Sequence, residues 1–297
     1  MKLTYAEAQE KEEVLKSMTS LTRLEFEELV VDFEKALHDL LPKDPSKGGR
    51  PPSLSTVKDQ LFFILFYMKT YPLQEILGFL FGMDQAQANE WIYKLTPVLR
   101  KALQIADSLP TRKSEALLAL LQEEDETPKV SIDGTERRRN RPQNQEQQRA
   151  YYSGKKKAHT VKNDVIVGME DIQIKYLSDT KPGKVNDKKI ADQAQLSYPQ
   201  GTELYQDKGL QGYEPKGVTV FQPKKKPKGG ELTEEEKQKN RVISSARVVV
   251  EHVIGSIKRL HIVADVFRNR KPLFDDQVIE IACGLHNFRT NHRLLEY

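Results

Sequence analysis

The chain has a single cysteine, Cys283, among its 297 residues. One cysteine excludes both an internal disulfide and a zinc site built from cysteines, and it is typical of a protein from a reducing compartment. No apolar run approaches the roughly 18 residues that a membrane-spanning helix needs. The first residues, MKLTYAEAQEKEEVLK, contain no apolar stretch of the kind found in secretory signals. These absences predict a cytoplasmic protein with no membrane partner.

Charge is nearly balanced over the whole chain but unevenly distributed along it. The formal net charge is +4, yet residues 137–162 carry nine Lys or Arg and one acid, a local net charge of +8. Residues 216–228 add five Lys and no acid. Such runs are typical of proteins that bind a nucleic-acid backbone. A solvated loop would explain either run alone, but the two together favour nucleic acid. Three candidate phosphate contacts lie in the first run: Lys155, Lys156 and Lys157.

The first 121 residues are predicted to form an all-helical domain. Apolar residues recur at helical spacing from Leu24 to Leu41, and Thr22 with Glu25 has the spacing of a capping box. A strongly apolar second helix is predicted to start at Ser55. Its apolar run is too short to span a bilayer.

A helix-turn-helix is predicted in the same region, from the helix Leu73–Phe81, a turn over residues 82–84 and a helix from about residue 85. The apolar face of the first helix is expected to comprise Leu73, Ile76, Leu77 and Leu80. The polar face of the second carries side chains that suit base edges and phosphates: Gln85, Gln87, Asn89 and Lys94. A plain helical hairpin with a polar outer face is the alternative. Arg50, between Gly and Pro residues, is a candidate minor-groove contact.

An acidic segment, residues 122–128, is predicted to link this domain to an α/β domain over residues 129–297. Turns are expected at Asn163-Asp164 and at Glu170-Asp171. The predicted strands are Val130–Asp133, Lys157–Lys162, Val165–Met169, Ile172–Leu177, Thr202–Gln206 and Val218–Phe221. The predicted helices are Asn186–Leu196, Glu234–Leu260 and Gln277–Asn291.

Three carboxylates occupy positions that are typical of a functional site. Asp133 lies mid-strand on the polar face, and Asp207 closes a strand. Glu251 lies in a narrow polar seam of the long helix, together with Arg247 and Lys258. Carboxylates are the ligands that Mg²⁺ prefers, and two such ions can act on a phosphodiester from both sides. From the helix alone, an ion pair between Glu251 and Arg247 is the simpler interpretation, and both aspartates could be turn formers.

Four segments stand in an order that resembles the DDE transposases of the bacterial insertion-sequence class related to the Harbinger-type transposases. They are DGTE (133–136), YSGKKKAHTVK (152–162), DKGLQG (207–212) and RxxxExxxxxxK (247–258). The resemblance covers nearly the whole chain. It implies an α/β fold: a ribonuclease-H-like catalytic domain, with a mixed sheet and flanking helices, preceded by an all-α helix-turn-helix domain. Family members often have a Tyr three residues before the Arg, where this chain has Ser244.

The same resemblance implies roles for individual residues. Asp133, Asp207 and Glu251 would hold two Mg²⁺ ions, for which Mn²⁺ would substitute, and Lys258 would contact the transposon end. Lys208 and Arg247 are expected to neutralise DNA phosphates.

The implied activity is that of a transposase that binds the terminal inverted repeats of its insertion sequence, cuts the DNA and transfers the strand to target DNA. A homodimer on DNA is expected, because two ends must be processed together. Association with the nucleoid is also expected, since DNA is the substrate. Two alternatives are a catalytically silent DNA-binding regulator and a DDE nuclease that cuts without joining.

Overall fold

The computed structural model describes residues 2–41, 53–124, 126–227 and 229–294. For residues 293 and 294 it describes the backbone alone. These residues form two compact units. Unit 1 comprises the described parts of residues 1–109, 257–265 and 277–297, and unit 2 comprises those of residues 110–256 and 266–276. The units differ from the predicted domains, 1–121 and 129–297, in two ways: two C-terminal segments cluster with the N-terminal helices, and residues 110–121 cluster with unit 2.

The predicted helices and strands occur in the expected order, but two of the predicted strands are joined into one and additional short helices and strands are present. The helices are α1 (Tyr5–Ala8), α2 (Glu12–Thr19), α3 (Arg23–Leu40), α4 (Val57–Thr70), α5 (Gln74–Phe81), α6 (Gln85–Ile105), α7 (Ser114–Gln122), α8 (Gln145–Tyr151), α9 (Asp187–Ala194), α10 (Glu234–Ile257), α11 (His261–Ala264) and α12 (Phe274–Leu294). The strands are β1 (Lys129–Arg138), β2 (Tyr152–Ser153), β3 (Ala158–Gly168), β4 (Ile174–Leu177), β5 (Lys181–Pro182), β6 (Glu203–Gln206) and β7 (Thr219–Phe221). A short 3-10 helix, Lys208–Leu210, follows β6.

Unit 1 is helical, and local side-chain caps fix where its helices begin. The Thr22 hydroxyl accepts a hydrogen bond from the Glu25 backbone N–H (3.2 Å), and the Glu25 carboxylate accepts one from the Thr22 N–H (2.7 Å). This capping box confirms the predicted start of α3. α4 is capped by Thr56, one residue after the predicted start, and its apolar stretch is buried over residues 61–68.

α5 and α6 form the predicted helix-turn-helix. Gly82 ends α5 with φ +67°, a left-handed conformation that favours glycine, and Asp84 begins α6 with a second capping box. The expected apolar face of α5 is only partly correct, because Leu77 is buried whereas Leu73 and Ile76 are half exposed. The helix packs through Leu77, Gly78 and Phe81 instead.

Gly78 explains why α5 packs through this face and not through the expected one. A Cβ atom at this position would lie 2.7 Å from the backbone oxygen of Met83. The face that carries the glycine can therefore approach the turn more closely than a face of bulky side chains.

Unit 2 is built on a mixed sheet with the strand order β2-β3-β1-β6-β7, and β4 and β5 also pair with β3. β1 runs antiparallel to β3 and parallel to β6. One face of the sheet forms a core in which Val130, Ile132, Ile166 and Leu204 pack with Ala191 of α9. A mixed sheet with flanking helices, preceded along the chain by a helical region, confirms the predicted fold class.

The predicted turn at Asn163-Asp164 is wrong, because β3 is one continuous strand through both residues. Buried hydrogen bonds hold them in the sheet. Arg137 donates to the Asn163 side-chain oxygen (2.8 Å), and the Asn163 amide donates to the Ser178 backbone oxygen (2.8 Å). The Asp164 backbone N–H donates to the Ser178 hydroxyl (2.8 Å). These partners supply the hydrogen bonds that polar groups in an exposed turn would form with water.

Among the described helices, none combines the length and the apolar character needed to cross a bilayer.

Candidate active site

Asp133 and Asp207 lie side by side because two parallel strands end their pairing next to them. β1 and β6 pair in register from Lys129 with Glu203 to Ile132 with Gln206. The next residue is an aspartate in both cases, Asp133 within β1 and Asp207 directly after β6, so the two carboxylates lie at the same edge of the sheet. The carboxyl ends of parallel strands are where functional groups gather in α/β folds.

The guanidinium of Arg247, on α10, lies between these two carboxylates. Its Nη1 is 3.2 Å from Asp207 Oδ1, and its Nη2 is 3.8 Å from Asp133 Oδ2. Arg247 is only 7 % exposed, and its buried Nε has no hydrogen-bond partner in the described part of the chain. The structure thus places a buried positive charge where two carboxylates converge.

Glu251 lies one helical turn beyond Arg247 on α10 and is exposed. Burial raises the pKa of Asp133, the positive charge of Arg247 opposes that rise, and the negative charges of Asp207 and Glu251 add to it. The Gly134 backbone N–H also donates to Asp133 Oδ1 at 2.8 Å, which favours the ionised form. Glu251 is therefore close enough to act electrostatically on Asp133. We call Asp133, Asp207 and Glu251 the carboxylate triad.

The donor chemistry of the triad suits a hard divalent cation. Asp133 and Asp207 already share one cationic group, and all three members offer the carboxylate oxygens that Mg²⁺ and Mn²⁺ prefer. Across the described residues, no three His, Cys, Asp or Glu side chains are arranged so that they could hold an ion. Metal binding by the triad would therefore require local movement of side chains around Arg247.

Two aspartates that the sequence did not single out lie near this edge of the sheet. Asp164 is 2 % exposed, and neither of its carboxyl oxygens has a hydrogen-bond partner in the described residues. Burial, with the charges of Asp187 and Asp133, raises its pKa to about 8. Asp187 pairs with Lys162 (2.9 Å). No local pattern marks either residue, since Asp164 looked like part of a turn and Asp187 like the first turn of a helix.

Asp187 lies against two glycines that adjoin the triad in sequence. A Cβ atom added at Gly134 would be 3.4 Å from the Asp187 carboxyl carbon, and one added at Gly209 would be 3.5 Å from a carboxyl oxygen. Several negative charges are thus concentrated around this edge.

The predicted phosphate contacts of the catalytic region lie at exposed positions. Lys208 directly follows Asp207 in the 3-10 helix, and Lys258 directly follows the last residue of α10. Lys155, Lys156 and Lys157 occupy the exposed turn between β2 and β3. Arg247 is the exception, because it is buried against carboxylates.

The predicted base-reading residues lie on the first three turns of α6, but each has an intramolecular partner. Gln85 and Asn89 both donate to the side-chain oxygen of Gln74, at 2.6 Å and 3.1 Å. Gln87 completes the capping box of α6, and Lys94 pairs with Glu90 at 2.8 Å. Arg50 lies outside the described residues.

Comparison with known proteins gives results for both units. Residues 132–287, just over half the chain, match the family model described as "DDE superfamily endonuclease". Residues 52–105 match the model described as "Helix-turn-helix of DDE superfamily endonuclease". The chain is 29 % identical over 273 residues to a protein of Microchaete diplosiphon named "Probable transposase for insertion sequence element IS702", covering 92 % of this chain and 93 % of that one. No solved structure matches.

Proposed function

We propose that this chain, which belongs to the DDE superfamily endonuclease family, moves a bacterial insertion sequence. It also contains the helix-turn-helix of that superfamily. In this proposal it binds the terminal inverted repeats of its element, cuts the DNA there and transfers the strand to target DNA. The similarity to the Microchaete relative, which is named as a probable transposase, supports this proposal.

One observation carries the catalytic part of the proposal: the carboxylates of Asp133 and Asp207 converge on a single cationic group. Carboxylates repel each other, and two of them brought together need a counter-charge or a shared proton. In the structure Arg247 supplies it, at 3.2 Å from Asp207 and 3.8 Å from Asp133. Glu251 adds a third carboxylate whose charge acts on Asp133.

We propose that the carboxylate triad holds two Mg²⁺ ions, with Mn²⁺ as a substitute. Bound there, the ions would activate the attacking oxygen and stabilise the leaving oxygen of the phosphodiester. Asp133 and Asp207 would hold ions from the sheet and Glu251 from α10. Lys208 and Lys258, each next to an element that carries a member of the triad, would neutralise the phosphates of the DNA.

Recognition of DNA sequence is assigned to the helix-turn-helix. Its second helix, α6, would enter the major groove, with Gln85, Gln87, Asn89 and Lys94 toward bases and phosphates. The amides of Gln85 and Asn89 would exchange their bonds to Gln74 for base edges. Two copies of the chain would assemble on the paired ends. DNA cleavage and strand transfer would take place in the cytoplasm, at the nucleoid.

A cleavage and joining assay tests this proposal. Labelled DNA that carries the ends of the element, and unrelated DNA of the same length, are incubated with the protein and with Mg²⁺ or Mn²⁺. We expect cuts at the ends and joining of the cut strand to target DNA. Binding without cutting would contradict the enzyme and favour a regulator, whereas cutting without joining would favour a nuclease.

The variant Asp207→Asn should lose cutting but keep binding, because it removes a negative ligand without changing size. Asp192→Asn, an exposed residue of α9, is the matched control and should cut like the unmodified protein. If Asp207→Asn cuts at the rate of the unmodified protein, the proposal that the carboxylate triad holds the catalytic ions is wrong.

A further inference from the structure

A basic pocket of about 760 Å³ lies on unit 2, and no role has been assigned to it so far. It is formed by α8, β2, the start of β3 and the segment after β5. The residues that matter for its chemistry are Arg141, Gln148, Arg149, Tyr152, His159 and Lys184. We call it the basic pocket.

The charge of the basic pocket has one sign. Arg141, Arg149 and Lys184 line it, and no carboxylate is among its lining residues. Within the described residues, no ion pair joins these three cations to an acid. Arg141 is held by a neutral partner, since it donates to the Gln148 side-chain oxygen at 2.8 Å, and the Gln148 amide donates to the Pro142 backbone oxygen at 2.8 Å. The pocket is therefore built to accept an anion.

Other basic residues of the same segment are used inside the protein. Arg137 is buried and donates to Asn163 (2.8 Å) and to the backbone oxygen of Asp275 (3.0 Å). Arg139 lies over the ring of Tyr151, 4.2 Å from its centroid, and 3.5 Å from the Asp275 carboxylate. Of the positive run seen in the sequence, Arg141 and Arg149 are the arginines directed into the pocket.

An aromatic side chain accompanies these cations. Tyr152 is 46 % exposed although it lies in a strand, and it pairs across the β2–β3 ladder with His159. The two rings meet edge-on, with centroids 5.7 Å apart and planes at 70°. The contact with His159 orients the phenol ring and leaves about half of the residue available to a ligand.

A cationic pocket with an available aromatic ring suits a nucleotide. Bases of single-stranded DNA stack on aromatic side chains while basic groups hold the adjoining phosphates. The cavity lies within the range of roughly 300–1,000 Å³ that is usual for ligand pockets. A base inside a duplex has both faces covered by its neighbours, so a base must be unpaired to stack on Tyr152.

We infer that the basic pocket binds one unpaired nucleotide of the DNA substrate. The base stacks on Tyr152, and Arg141, Arg149 and Lys184 hold the flanking phosphates. The inference rests on the proposed function only in taking DNA as the partner, and it does not depend on cleavage.

The sheet gives the distance of this pocket from the proposed cutting site. His159 stands six residues before Val165 on β3, and Val165 is the register partner of Asp133. At about 3.4 Å per residue, the pocket lies roughly 20 Å along the sheet from the triad. For a duplex that runs along β3, with about 3.4 Å per nucleotide step, the unpaired nucleotide would be roughly six positions from the cut.

A binding experiment without metal tests the inference. The full chain carrying Asp207→Asn is titrated with fluorescent duplexes of one sequence, either perfectly paired or with a single unpaired base, and affinities are measured by anisotropy. We expect about tenfold tighter binding of the DNA with the unpaired base, the scale of one base stacked on an aromatic ring. A 2-aminopurine at the unpaired position should report the stacking directly as a change in fluorescence.

Variants separate stacking from charge. Tyr152→Ala should abolish the preference for the unpaired base, and Tyr152→Phe should keep it, because stacking needs the ring and not the hydroxyl. Arg149→Gln should weaken binding of the DNA with the unpaired base more than that of paired DNA. Lys113→Gln, at an exposed position outside the pocket, is the control and should affect both DNAs alike.

Two outcomes would overturn the inference: equal affinity for paired and unpaired DNA, or an undiminished preference in Tyr152→Ala. Failure here is distinguishable from failure of the proposed function. If the protein cuts and joins ends but shows no preference for the unpaired base, only the inference about the basic pocket is contradicted. If it shows the preference but does not cut, only the proposed function is contradicted.

Discussion

Arg247 offers the most informative single substitution, because it is the counter-charge on which Asp133 and Asp207 converge. In Arg247→Gln both carboxylates stay in place, with Glu251 nearby, and the cation between them is lost. Removing one partner of a fully buried ion pair costs about 3–5 kcal/mol. The Asp207 side chain is 49 % exposed, so water screens part of this repulsion, and we expect a loss of about 1–2 kcal/mol.

Thermal unfolding at neutral pH measures that loss. For a unit of this size, about 1 kcal/mol shifts the melting temperature by roughly 2–4 °C, so Arg247→Gln should melt about 2–8 °C lower in the absence of metal. Adding Mg²⁺ or Mn²⁺ should recover much of the deficit, since a divalent cation restores positive charge to the same oxygens. The unmodified protein should gain less, because its guanidinium already neutralises them.

Arg241→Gln is the matched control, with the same substitution at an exposed position of the same helix. Its unfolding free energy should change by less than about 0.5 kcal/mol, with or without metal. If Arg247→Gln melts with the unmodified protein, the guanidinium does not stabilise the two aspartates. If metal leaves its deficit unchanged, the carboxylates do not take a cation in place of the guanidinium.

Three further predictions concern pH, DNA and unit 1. Because the pKa of Asp164 is about 8 in the folded protein and 3.8 as its ordinary value, the folded state keeps a proton that the unfolded state releases in between. Stability should thus fall as pH rises through that window, and Asp164→Asn should reduce the fall in melting experiments across pH. Lys208→Ala should weaken DNA binding and lower the slope of log affinity against log salt by about 0.9, if it contacts one phosphate. An unchanged slope would contradict that contact. Thr22→Ala should destabilise unit 1 by about 1 kcal/mol in denaturant titrations, through loss of the cap of α3, and an unchanged midpoint would contradict that role.

The sequence was most informative where a local pattern has one structural meaning. Alternating residues around Ile132 predicted a strand, and a strand followed by Asp207 placed that aspartate at a sheet edge. The capping box of Thr22 and Glu25 and the turn before Gln85 fixed helix starts to within a residue. These features depend on neighbours along the chain, which a sequence shows directly.

Features that depend on packing between distant segments were not predictable in the same way. In sequence, Arg247 lies on the polar seam of a helix and is expected to neutralise DNA phosphates. In the structure its guanidinium lies between the carboxylates of Asp133 and Asp207. Asn163-Asp164 resembles a turn, but bonds from Arg137 and to Ser178 make it part of β3. Asp164 was missed for that reason, since its environment comes from strands that only the fold brings together.

Metal-directed cleavage of the protein backbone tests most directly whether Asp133, Asp207 and Glu251 share one metal site. With Fe²⁺ in place of Mg²⁺, and with added hydrogen peroxide and ascorbate, hydroxyl radicals formed at the ion cut the polypeptide next to it. We predict fragments that end close to all three residues, weakened by excess Mg²⁺ and by Asp207→Asn. Cuts at only one of the three, or a pattern unchanged by Asp207→Asn, would contradict the shared site.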